Sequence, residues 1–175
     1  LRNLPIVALP GGSTLAVKDG EDTGMIQSIG ARFAQGEVTL DYAQDVGCRA
    51  CASPGGGCHF LGTAGTSQVI AESLGIAITH SALCPSGTEA WKDVARRSAR
   101  ALVFCESNGL TSRSVFTDSA FRNAMIVHAA CGGSTNLLLH LPAIAHAAGR
   151  KRMMLEDWNH VNKETPSIVD VLPNG

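Results

Sequence analysis

Three cysteines fall within eleven residues in the run Cys48-Arg49-Ala50-Cys51-Ala52-Ser53-Pro54-Gly55-Gly56-Gly57-Cys58, and an apolar helical pattern follows at once. Proline fixes one backbone dihedral and the glycines free the next three residues, so the segment is expected to be a loop. Such a loop lets main chain approach another group closely and offers thiolates to a soft metal. The elements on either side have to be arranged around it.

Before the loop, Pro5–Leu9 is a short apolar run that ends in Pro10-Gly11-Gly12, the pattern of a buried strand entering a tight turn. The spacing predicts a helix over Thr23–Ala34, with Met25, Ile26, Ile29 and Phe33 on one face and Gly36 as its stop. A shorter helix is expected over Leu40–Val46. After the loop, Thr66–Leu74 reads as a helix whose first-turn hydroxyls cap orphan donors. Ser86-Gly87-Thr88-Glu89 has capping-box spacing and opens a helix to about Phe104, with Trp91, Val94, Ala95 and Ala99 inward. Further helices are expected over Asp118–Ala130, entered through Thr117, over Ser134–Ala148, kinked at Pro142 and closed by Gly149, and over Glu156–Asn162. Ser167–Leu172 reads as a strand. The expected fold is a layered α/β domain, helix-rich, with a small buried and mainly parallel sheet.

At 175 residues the chain is long enough for one core and short for two. Its net charge of −1 and scattered basic residues give no electrostatic footprint for nucleic acid. Arg150-Lys151-Arg152 follows a helix end, where cations compensate the dipole. No apolar run reaches membrane-spanning length, and no charged-then-apolar leader opens the sequence, so the expectation is no membrane contact and a cytoplasmic setting. Leu1 and the closing Leu172-Pro173-Asn174-Gly175 both read as interior to something larger. Six cysteines would allow three disulfides, but Cys84, Cys105 and Cys131 sit among apolar or helical residues, which favours reduced thiols.

Spacing alone leaves the chemistry open. Cys48-x-x-Cys51 suggests zinc or a redox pair, but no second such pair or finger-spaced histidines completes a zinc site. Cys58 follows three glycines and precedes a helix, where main-chain N–H groups and the dipole favour a thiolate. Buried, inert thiols explain the same spacing equally well. Cys131-Gly132-Gly133-Ser134-Thr135-Asn136 has the form of an anion cradle before a helix, or of an ordinary tight turn with an N-cap. His128, His140 and His146 read as packing residues, while His59 and His80 flank the helix that follows Cys58.

Two longer segments narrow the choice. Gly57-Cys58-His59-Phe60-Leu61-Gly62-Thr63-Ala64, with Ala71-Glu72-Ser73-Leu74-Gly75-Ile76-Ala77 after it, resembles a signature of the dihydroxy-acid and sugar-acid dehydratase family. Asn123-Ala124-Met125 through Gly132-Gly133-Ser134-Thr135-Asn136 to His140-Leu141-Pro142-Ala143-Ile144-Ala145 resembles the second signature of that family. The two lie in the family order, about seventy residues apart. The cysteine loop and His80-Ser81-Ala82-Leu83 resemble more narrowly its D-xylonate dehydratase branch.

The resemblance implies a hydro-lyase that removes water from a sugar acid, such as D-xylonate or a related aldonate, to give the 2-keto-3-deoxy acid. It implies an iron–sulfur cluster, [2Fe-2S], held by three cysteines, together with Mg²⁺, and a homodimer or homotetramer. Cys58 matches the last of the three cluster ligands. Cys48 and Cys51 match no ligand position and are left as neighbours. The other cluster ligands, the magnesium ligands and the catalytic base have no counterpart here, so residues 1–175 are expected to be part of the N-terminal cluster-binding domain of a larger dehydratase, inactive alone. Thr63, Gly132, Gly133, Ser134, Thr135 and Asn136 are expected to line the cluster or substrate pocket. The rival readings are a zinc-binding or thiol-redox α/β module without catalysis, and a dihydroxy-acid or phosphogluconate dehydratase of the same family.

Overall fold

Eight helices carry almost all the regular structure of the computed structural model, which describes residues 3–14, 23–50, 57 and 61–169. In chain order they are α1 (Thr23–Ala34), α2 (Leu40–Ala50), α3 (Thr63–Ser73), α4 (Glu89–Ser107), α5 (Ser112–Val115), α6 (Asp118–Cys131), α7 (Leu137–Ala147) and α8 (Leu155–Glu164). The apolar spacing that predicts α6 also places it at the centre. Phe121, Ala124 and Met125 of α6 join Ile70 and Leu74 at the end of α3, Leu137, Leu141 and Ala145 of α7, and Trp158 and Val161 of α8 in one buried cluster. Each large side chain buried there contributes roughly 1.5–3 kcal/mol. α1 and α2 pack on each other.

The caps explain several boundaries. Thr117 accepts the Ala120 N–H, and α6 closes on Gly132, which takes the left-handed conformation at φ 59°. α4 begins two residues later than a Ser86–Glu89 box would have it: Thr88 is its N-cap and accepts the Trp91 N–H, while Glu89 pairs with Lys92. Its inward positions are Val94 and Ser98, with Trp91 and Ala95 half-buried, whereas Ala99 faces out. Gly36 ends α1 as expected, donating to Phe33 at φ +75°, although Phe33 itself is exposed. α7 runs through Pro142, and α8 is a turn longer than expected. α2 continues past Val46 to Ala50, so Cys48 lies on a helix and not in the loop. Val46 is fully buried, and packing there outweighs the helix cost of Gly47.

The expected small parallel sheet does not form among the described residues. Ala8 meets Ala77 in an isolated parallel bridge, and Ser13 bridges to Gly57 and to Pro85, again in parallel. Turns cut each pairing short. Pro10 and Pro85 have no N–H to offer, Gly12 is left-handed at φ +80°, and His80 and Leu83 also have positive φ. Ser167–Val169 is not a strand; one bond, from Ile168 N–H to the Ala130 carbonyl, ties it to α6. Residues 170–172 of that expected strand lie outside the described residues.

Candidate functional site

The residue before Cys58 is held on both sides by main chain. Gly57 N–H donates to the Gly12 carbonyl at 3.0 Å, and Thr14 N–H donates to the Gly57 carbonyl at 2.9 Å. The Gln68 side chain of α3 strengthens this crossing: its Nε2 donates to Gly12 at 3.0 Å, and its Oε1 accepts the Leu83 N–H at 3.2 Å. Ser13 Oγ donates to the Leu83 carbonyl at 2.8 Å. A Cβ on Gly12 would run into the Cys84 carbonyl, so glycine is required there for packing as well as conformation. Cys58 itself, with Cys51 and His59, lies outside the described residues.

Glu72 organises the neighbouring turn. Its carboxylate accepts the N–H groups of His80, Ser81 and Ala82 at 2.8, 3.1 and 2.9 Å. Three charge-assisted bonds offset the cost of the left-handed His80. Glu72 belongs to the Glu-x-Leu-Gly part of the first signature, which carries this role without revealing it.

The two signature segments meet. Thr63 Oγ1 lies 3.3 Å from Ser134 Oγ, 71 residues away, and Asn136 Nδ2 donates to Thr63 Oγ1 at 2.7 Å. Thr66 Oγ1 donates to the Leu61 carbonyl at 3.1 Å and accepts the Ser134 N–H at 2.9 Å. His128 Nε2 faces the Ser134 carbonyl at 3.0 Å. The expected residues Thr63, Gly132, Gly133, Ser134 and Asn136 are thus in one place, with Thr135 exposed between them. Three of the N–H groups an anion cradle would use are directed inward: Gly132 to Ala129, Gly133 to His128 and Ser134 to Thr66. α7 starts at Leu137 and not Ser134 because Ser134 is committed to this cross-connection, and Asn136 makes no side-chain cap.

Beneath Thr63, Ser134 and Asn136 a cleft of about 150 Å³ runs between α3 and α7, its wall formed by Ile70, Leu74, Leu137 and Ile144, with His140 at the edge. His140 and His146 are exposed; of the three histidines expected to pack, only His128 is buried. A larger cleft of about 330 Å³ lies between α6 and α8, where Arg122, Lys151 and Arg152 stand with Asp118 and Asp157. Arg150 turns the other way, its Nε donating to the Phe116 carbonyl at 2.8 Å, so the basic tripeptide does more than compensate a helix end.

Cys48, Cys84, Cys105 and Cys131 are free thiols. Burial raises the Cys131 thiol above its ordinary value. Among the described residues no three His, Cys, Asp or Glu side chains gather as a metal site. A zinc centre built from the described thiols is therefore not present among them. What they provide is a main chain anchored at Gly57, the residue before Cys58.

Residues 1–175 match the family described as Dihydroxy-acid/6-phosphogluconate dehydratase N-terminal. The chain is 60% identical over 173 residues to the D-xylonate dehydratase YjhG of Escherichia coli (strain K12), covering 99% of this chain and 26% of that protein. It is 58% identical over 175 residues to the D-xylonate dehydratase YagF of the same organism, covering 100% of this chain and 27% of that protein. A dihydroxy-acid dehydratase of Sulfurisphaera tokodaii is 35% identical over 180 residues, covering 99% of this chain and 31% of that protein. The chain thus spans about a quarter to a third of the length of these relatives.

Proposed function

The chain belongs to the dihydroxy-acid/6-phosphogluconate dehydratase N-terminal family, and we propose that residues 1–175 are part of the cluster-binding domain of a sugar-acid dehydratase. The reaction is elimination of water from an aldonate, D-xylonate or a close relative, giving the 2-keto-3-deoxy acid after tautomerisation. One observation carries the choice of substrate class. Identity is 58–60% to the two D-xylonate dehydratases, against 35% to the dihydroxy-acid dehydratase of Sulfurisphaera tokodaii.

In this reading Cys58 is one of three thiolates holding an iron–sulfur cluster, [2Fe-2S], and Mg²⁺ binds to residues outside this chain. When bound, the cluster and Mg²⁺ supply Lewis-acid chemistry at the departing hydroxyl and at the carboxylate end of the substrate. The residues of this chain bind and orient. Gly12 and Thr14 fix the main chain at Gly57, Gln68 and Ser13 brace that crossing against the Leu83 turn, and Thr63, Ser134 and Asn136 present hydroxyl and amide groups along one rim. Gly132 and Gly133 let that rim form, and Thr135 is the exposed hydroxyl beside it. The catalytic base is assigned outside residues 1–175. The parallel bridges at Ala8 and Ser13 belong, in this reading, to a small parallel sheet completed by further chain.

The full protein is proposed to work as a homodimer or homotetramer in the cytoplasm, consistent with the free thiols and with no helix among the described residues being long and apolar enough to cross a membrane. The test is a substrate screen on anaerobically purified full-length protein. Turnover of D-xylonate or another aldonate well above that of a branched 2,3-dihydroxy acid is expected. Preference for the branched acid would overturn the sugar-acid assignment.

A further inference from the structure

We propose that Thr66 and His128 are positioning residues that grip the main chain of Ser134 at its amide and its carbonyl, and so fix its hydroxyl beside Thr63. The proposal rests on the reading that Ser134 lines the reaction pocket, and neither residue touches the substrate in it.

A turn between two helices ordinarily satisfies its main-chain groups with main chain or water. Ser134 instead gives its N–H to a side chain of α3, Thr66, and receives at its carbonyl the ring of His128 from α6, along with the Leu137 N–H. Both side chains are interior, Thr66 at 4% and His128 at 9% exposure. The Thr66 hydroxyl is directional because it is fully used: its proton goes to the Leu61 carbonyl, which leaves a lone pair aimed at Ser134. A carbonyl opposite Nε2 places the ring proton on that nitrogen. Nδ1 is then a buried acceptor with no partner among the described residues. Trp158 holds the ring edge-on, with centroids 5.3 Å apart and planes at 76°.

Gly133 shows how tightly the two side chains close. A Cβ there would stand 2.7 Å from His128 Cδ2 and 3.1 Å from Thr66 Cγ2, so the same pair that grips Ser134 excludes any side chain from the residue before it. With its peptide held, Ser134 Oγ meets Thr63 Oγ1 and receives the Asn136 N–H at 3.3 Å. Because Thr66 also holds Leu61, one buried hydroxyl joins the turn that follows the cysteine loop to the 132–136 turn.

Two readouts in the full-length protein test this. Hydrogen exchange in peptides spanning residues 132–137 should quicken at least about fivefold at the Ser134 amide in Thr66→Val, which keeps shape and loses the hydroxyl, and return in Thr66→Ser. His128→Leu should quicken exchange across the same turn, with His128→Gln restoring protection through its side-chain N–H. Unchanged exchange in both Thr66→Val and His128→Leu overturns the proposal. In kinetics with D-xylonate, Thr66→Val should raise KM by at least about fivefold with a smaller effect on kcat, and adding it to Ser134→Ala should change nothing further. Additive losses would show that Thr66 does not act through Ser134, and overturn its positioning role. If Ser134→Ala leaves kcat/KM at the parent value while exchange still responds to Thr66→Val, the grip stands and the pocket reading falls.

Discussion

Gly133 and Cys131, two residues apart at the end of α6, show how much a single position decides. Gly133 does not have positive φ, so its demand for glycine is purely steric and comes from two buried neighbours that have little room to move. Gly133→Ala should cost about 1–3 kcal/mol of stability, read by thermal or denaturant melting of the full-length protein. A parent-like melting curve would mean that the His128 ring yields. Cys131 makes the opposite kind of prediction, one about pH. Burial raises its thiol above the ordinary value of 9.0, so the native state binds its proton more tightly than the unfolded chain does. That contribution to stability is complete below the unfolded value and is lost as pH rises through the folded one. Comparing parent with Cys131→Ala between pH 7 and about 11, the parent should lose stability more steeply at the alkaline end. The exposed Cys48 should be alkylated by iodoacetamide well before Cys131; the reverse order by peptide mapping would contradict the burial.

Among elements, those governed by local rules were legible and those governed by distant partners were not. The bounds of α1 follow from apolar spacing and Gly36, and the entry to α6 from Thr117. The start of α7 could not be read, because Ser134 looks like an N-cap until its N–H is seen bonding to Thr66 on another helix. The end of α2 was hidden by Gly47, whose cost is outweighed by the burial of Val46. The expected sheet is missing among the described residues for a related reason: the run Pro5–Leu9 does meet Ala77, but turns limit that pairing to a single bridge. Burial also sorts mutations by element. Leu141 of α7 is 0% exposed in the core, and Val103 near the end of α4 is 61% exposed. Leu141→Ala should cost about 2–5 kcal/mol and Val103→Ala under about 0.5 kcal/mol. Similar losses for both would mean that the end of α4 is covered in the full-length protein.

For the whole molecule, the family and the meeting of its two signatures were legible from motif residues alone: Thr63 and Ser134 are 71 positions apart and 3.3 Å apart. The supporting side chains were not legible. Thr66 reads as a helix-capping hydroxyl, His128 as packing, and Gln68 as an unremarked helical residue, since each acts on a partner that only folding brings near. Of these, Gln68 braces the crossing at Gly57, the residue that Gly12 and Thr14 anchor beside Cys58. The most direct test is therefore to quantify iron, acid-labile sulfide and zinc in anaerobically purified full-length protein and in its Cys58→Ser variant. The account predicts iron and sulfide in equal amounts in the parent and their loss, with the visible absorbance, in the variant. Zinc without sulfide, or a cluster that survives Cys58→Ser, would contradict it.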